Sequence, residues 1–149
     1  GRGGCSGSRL LITSAGTQSR ASHFFLNLLR IVAALAFMQH GAQKLFGLLG
    51  AQGTATFATQ SWLAGTLEFW GGLLILVGLF TRPVAFVLAG EMAWAYLQSH
   101  LPRGIFPVEN GGELAVMFCI IYLFLASNGG GAFSLDGLIE SRRRRKAAE

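Results

Sequence analysis

The sequence predicts an all-α protein, a four-transmembrane-helix bundle with both termini on the cytoplasmic side. Three observations carry this expectation. The 149 residues are 52% hydrophobic and only 13% charged, about half the roughly 25% charge of an ordinary soluble domain. Twenty-one glycines and twelve phenylalanines accompany long apolar runs, a composition that suits a polytopic membrane chain. Most of the cations fall on one side of four apolar segments.

Each element follows from the chain in order. A helix needs about 20 residues to cross the hydrocarbon core of a bilayer. The first span is expected at about 24–46, with Arg30 toward one end and "QHGAQK" at the other. The second is expected at 62–80 and ends in "GLFTRP". Pro83 can open the third, at 83–100, because an N–H in the first turn has no intrahelical partner to lose. The fourth is expected at 112–127. A Gly/Thr/Gln loop separates the first pair, and the Pro- and Gly-rich "LPRGIFPVENGG" separates the second. Residues 1–23 have no apolar h-region of signal-peptide type, and their Gly, Ser and Arg content predicts a disordered tail. Residues 24–128 then form the transmembrane domain, and 129–149 a C-terminal segment ending in the polybasic "RRRRK".

Four spans put the termini and the middle loop on one side. That side holds Arg2, Arg9, Arg20, Arg30, Arg82, Arg142, Arg143, Arg144, Arg145 and Lys146, against Lys44 and Arg103 on the other. The asymmetry assigns the termini to the cytoplasm and the protein to the inner (plasma) membrane as a multi-pass protein. The net charge of +5 is then a juxtamembrane feature attracted to anionic lipid, and no nucleic-acid partner is expected. Cys5 lies in the tail and Cys119 in an apolar run, with no CxxC pair, so thiol chemistry is not indicated.

Of seven acidic residues, Glu68, Glu91 and Glu113 fall within or at the edge of spans. A charge at the bilayer centre costs from about 2.5 to above 10 kcal/mol, so each must face the bundle interior, find a partner or carry a proton. At about 1.5 Å rise per residue, Glu113 is shallow, Glu68 lies about 10 Å deep and Glu91 about 13 Å. His40 sits about two turns into the first span. A staggered polar path from the outer surface toward Glu91 is expected from His40, Glu68, Glu91 and Glu113. Lys44 is a nearby counter-charge, and His100, Glu109 and Asn110 stand at the mouth. Gly65, Glu68 and Gly72 share a helical stripe, and Gly90 and Ala95 flank Glu91; small residues let helices approach.

Plain structural roles stand beside these. Arg30 and Lys44 read as interface anchors that snorkel. His40 can bond across helices, and Glu113 can match a helix dipole. Trp62 and Tyr96 suit an aromatic belt, and Cys119 a packing role. Metal and haem are disfavoured: no ExxH or HxxxH spacing occurs, and His40 with His100 is a weak haem pair. A protonatable ladder suits a quinone head group, and equally a proton or small-solute path.

"HGAQKLFG", "LEFWGGLLILVGLFTR" and "NGGELA…GGGAFSLDGL" resemble the DoxX family of small four-helix membrane proteins over roughly residues 27–138. His40, Lys44, Glu68, Gly71, Gly72, Arg82, Glu113 and Asp136 are the family-motif positions. The resemblance implies a four-span scaffold. Some members are subunits of a thiosulfate:quinone oxidoreductase, and some join complexes that handle oxidative stress and thiols. The expectation is a small subunit of a quinone-linked or oxidative-stress redox system, an oxidoreductase subunit if it is catalytic at all. A redox partner subunit supplies electron transfer, and a homo-oligomer is compatible with the sequence. A non-enzymatic carrier or assembly subunit is the alternative.

Overall fold

Helix α1 covers Arg20–Phe46 as one rod of 27 residues. The computed structural model describes residues 20–50 and 53–148. The expected disordered tail falls outside the described residues over 1–19, and residues 20–23 already belong to α1. The helix closes at Gly47, whose φ of 64° is left-handed and whose N–H donates to the Gln43 carbonyl at 3.1 Å, a geometry glycine adopts without penalty.

The second expected span is a rod in three pieces. Helix α2 (Gln60–Thr66) starts at Thr59, whose hydroxyl accepts from the Trp62 N–H. Such a cap satisfies one of the donors that a helix start leaves open. A π-helical turn over Leu67–Gly71 follows, then α3 (Gly72–Val77). Thr66 and Gly72 keep right-handed helical dihedrals, so the rod is continuous. Helix α4 (Thr81–Ala95) has Pro83 in its first turn and runs into a second π turn, Tyr96–His100, and a short 3-10 turn, Leu101–Arg103. The one-turn α5 (Pro107–Asn110) precedes α6 (Glu113–Asn128) and α7 (Leu135–Ala147). Among the described residues there is no strand, and the protein is all-helical.

Four rods run over 20–46, 60–77, 81–103 and 113–128, but uninterrupted length does not give four spans. Only α1 among the described residues is by itself long and apolar enough to cross a membrane, and α6 is a shorter apolar helix. The cause is local. The π turns widen the backbone spiral and divide the second and third rods into pieces that sequence periodicity reads as whole helices, and the uninterrupted α6 has only 16 residues.

Packing joins the rods in pairs. Helix α1 lies along α2, the first π turn and α3, while α4 lies along α6; the pairs meet mainly where α4 touches the π turn and α3. Between them sits a core of Phe37, Ile75, Leu88, Tyr122 and Leu125, with small Ala34, Ala85 and Ala89 where backbones approach. Outward faces are apolar: Phe25, Val32, Phe86, Trp94, Met117 and Ile120 are all more than half exposed. A surface of that kind suits hydrocarbon rather than water as the surroundings.

At the end where α3 turns into α4, a polar knot holds the elements together. Arg30 is 2% exposed. Its Nη1 donates to the carbonyls of Ile75 (2.8 Å) and Leu76 (2.6 Å), and its Nη2 to that of Phe133 (2.8 Å). The expected snorkelling anchor is therefore a buried clamp. It serves the last carbonyls of α3, which a helix end leaves without partners, so the guanidinium has no reason to reach for the interface. Asp136 completes the knot, its carboxylate accepting from the N–H groups of Phe80 (2.9 Å) and Thr81 (2.8 Å) and capping α4 from a distant segment. Its own N–H donates to the Gly78 carbonyl at 2.9 Å.

Candidate functional site

The first π turn sets the site. It carries Glu68, 3% exposed, which faces α1 together with Gly65 and Gly72 of the same stripe. There Lys44 Nζ meets Glu68 Oε1 at 2.5 Å, with Lys44 itself 36% exposed. Glycine makes the meeting possible. A Cβ on Gly41 would stand 2.5 Å from the Phe69 nitrogen and 2.8 Å from the Gly65 carbonyl oxygen, and one on Gly65 would stand 2.8 Å from Lys44 Cβ. Gly72 closes against Met38 and Ala34 in the same way. The expected small-residue stripe is thus the contact line between α1 and the second rod. Gly90 does not share that role, since nothing lies within 4 Å of where its Cβ would be.

Lys44, Glu68 and Glu91 line one cavity of about 620 Å³ between α2, the first π turn and α4. Its walls are largely apolar, including Leu63, Leu67, Val87, Met92 and Trp94. Glu91 sends both carboxylate oxygens into buried space, where they have no hydrogen-bond partner among the described residues, and Glu68 Oε2 is likewise unpartnered. Glu91 stands close enough to Glu68 and Lys44 for their charges to act on it. Gln60 and Gln98 line the end of the cavity nearest the loops and exchange amide hydrogen bonds, Gln60 Nε2 to Gln98 Oε1 and Gln98 Nε2 to Gln60 Oε1, the second at 2.9 Å.

The other expected residues do not line the cavity. His40 packs edge-on against Phe118, ring centroids 6.2 Å apart; it does not line the cavity but stands close enough to Glu68 for its charge to act there. Glu113 is exposed in the first turn of α6, as a dipole-matching residue would be. His100 stacks on Tyr96 at 6.1 Å, its Nδ1 3.2 Å from the Asn110 carbonyl. Asn110 is itself a loop tie, donating to the Gly104 carbonyl (2.7 Å) and the Tyr96 hydroxyl (3.2 Å). Among the described residues no three His, Cys, Asp or Glu side chains converge as a metal set would.

Three participants escape sequence reasoning. Gln60 and Gln98 are 38 residues apart and ordinary in isolation. Tyr122 is fully buried, its hydroxyl has no partner among the described residues, and it lies outside the cavity lining but within the field of both carboxylates. The one signal for it is a single hydroxyl in the apolar "MFCIIYLFLA".

An all-helical chain with an apolar outer face and a buried carboxylate pair inside a cavity defines a class of small membrane-embedded helical proteins. The chain belongs to the DoxX family, whose pattern matches residues 25–101. It is 40% identical over 120 residues to a Haemophilus influenzae protein named only as an uncharacterized protein, covering 76% of this chain and 89% of that one. It is 32% identical over 121 residues to Inner membrane protein YqjF of Escherichia coli (strain K12), covering 76% and 90%. A Bacillus subtilis (strain 168) protein named "Putative oxidoreductase CatD" is 25% identical over 118 residues, covering 75% and 84%. No solved structure matches the chain. As a member of a membrane protein family with an inner-membrane relative, it is a membrane protein.

Proposed function

We propose that this chain is a multi-pass inner-membrane subunit of a redox system and that its cavity receives the head group of a quinone. The observation that carries the reading is the pairing of apolar walls with the unpartnered oxygens of Glu68 and Glu91 in one 620 Å³ space. Interconversion of quinone and hydroquinone moves two protons with two electrons. The carboxylates exchange the protons, and Lys44 holds Glu68 in place. The electrons pass to or from a partner subunit, since these residues offer no redox centre of their own. The oxidoreductase name of the Bacillus relative supports a redox role. Four crossings, counting the two π-interrupted rods as spans, and the cation asymmetry support cytoplasmic termini.

The test is Glu91→Gln, with Glu68→Gln beside it, in cells and in mild detergent. Removing a proton-exchanging carboxylate is expected to lower quinone-linked turnover by about a hundredfold, with normal amounts of protein in the membrane. Unchanged turnover or stress resistance at normal abundance would reduce the carboxylates to packing. Loss of a solute or proton flux with quinone chemistry intact would instead establish the carrier reading.

A further inference from the structure

The Glu68–Glu91 cavity has a polar end, at Gln60 and Gln98, and an apolar side. Gln60 begins α2 and Gln98 lies in the π turn that extends α4, so both stand at the loop end. From there Glu68 and Glu91 lie eight and seven residues along their rods, about 10–12 Å deeper. The reciprocal amide pair spans this end and uses one donor and the acceptor of each glutamine on the other. To the side, the wall is made by Leu63, Val87 and Trp94, which are 54%, 52% and 59% exposed. On the same two rods Phe86 and Trp70 are likewise exposed, at 68% and 54%. Helix α4 meets the second rod through the π turn and α3, while α2 and the end of the α4 rod are joined through the Gln60–Gln98 pair, so the cavity lies between these two contacts.

We infer that the cavity is loaded sideways from the bilayer, between α2 and α4, by a membrane-dissolved amphiphile whose head group carries hydroxyl donors, and that Gln60 and Gln98 latch its water-facing end. Charged and hydrophilic molecules are excluded at the latch; an apolar tail remains against Leu63, Val87 and Trp94 while the head reaches the carboxylates. The fully buried oxygens that lack a partner there are three carboxylate oxygens, Lys44 gives one N–H to Glu68, and Ser61 and Ser99 line the cavity beside Gln60 and Gln98. A hydroxyl-bearing head satisfies such acceptors better than one that only accepts. The inference takes the site from the proposed function but concerns its route and ligand class, so it replaces the outward-opening aqueous path expected from the staggered ladder.

The experiment places a cysteine in the cavity, Ala64→Cys, in a Cys5→Ser, Cys119→Ala background in native membranes. The lipid-soluble N-ethylmaleimide is expected to label it at least tenfold faster than a charged methanethiosulfonate of similar size. Adding Gln60→Ala and Gln98→Ala is expected to raise the charged reagent's rate about tenfold and leave that of the maleimide unchanged. Decyl-hydroquinone should slow the maleimide more than decyl-quinone does. Labelling by the charged reagent as fast as at a loop control, Thr54→Cys, would overturn the route. Equal or better protection by the quinone form would overturn the head-group assignment. No protection by either form, with the reagent preference intact, would overturn the quinone reading of the proposed function and the head-group assignment while upholding the bilayer route. A second site, Trp94→Cys, repeats the comparison should Ala64→Cys not accumulate.

Discussion

Lys44 and Glu68 illustrate how one side chain's surroundings decide what the other does. A fully buried pair loses about 3–5 kcal/mol when one partner is removed, and an exposed pair loses about 0–1 kcal/mol. This pair is buried at the carboxylate and open at the ammonium, so Lys44→Met is expected to cost about 2 kcal/mol, between those limits. Thermal unfolding in detergent measures it, and Lys44→Met with Glu68→Leu should recover most of the loss, since no charge is then left alone. Arg30 supports a sharper expectation. Its fork serves three carbonyls on two segments, and a lysine has no fork to divide among them. Arg30→Lys should therefore destabilise nearly as much as Arg30→Met, by more than about 3 kcal/mol. An interface anchor would accept lysine with little change, so equal stability of Arg30→Lys and the parent would refute the clamp.

At the scale of elements, the glycines decide whether α1 and the second rod touch. A methyl at Gly41 meets backbone atoms of Phe69 and Gly65, which cannot rotate away. Gly41→Ala is expected to cost about 1–3 kcal/mol through overpacking and to pull Lys44 off Glu68. Gly90→Ala meets open space and gains helix propensity of up to about 1 kcal/mol, so thermal midpoints of the two variants should move in opposite directions. The sequence makes the helix positions legible because apolar runs and the "GLFTRP" turn mark them, whereas the Thr59 cap and the left-handed Gly47 are seen only in the structure. The contact line around Gly65 and Gly72 is also legible, from spacing alone. The π turns are not, since a one-residue widening leaves no compositional mark. Arg30 misleads for a related reason: an arginine near the end of an apolar run looks the same whether it reaches outward or clamps inward. What separates the two is the distant carbonyl of Phe133, which no local pattern reveals.

For the whole molecule, the polar knot and the cavity lie at opposite ends of the bundle, and this fixes a topology test. Arg30, Asp136, Gly78 and Thr81 gather α1, α3, α4 and α7 at one end. Lys44, Gln60 and Gln98 gather the loop ends of α1, α2 and α4 at the other. The exposed cations of α7, Arg142 to Lys146, stand at the knot end, with Arg144 held to Glu140 at 2.9 Å. If the rods cross four times, single cysteines at Thr54 and Ile105 should react with an impermeant reagent added to intact cells, after outer-membrane permeabilisation where there is one. Cysteines at Phe133 and Ser141 should react only once the inner membrane is opened. Reversal of all four would invert the orientation and place the latch in the cytoplasm. A mixed result, with Thr54 and Ile105 on different sides, would mean that one π-interrupted rod fails to cross. The balance favours the first outcome, because the knot end carries Arg82 and the α7 cations while the latch end carries Arg103 and a Lys44 already neutralised by Glu68. Moving four or more unpaired cations across the bilayer costs far more than moving one.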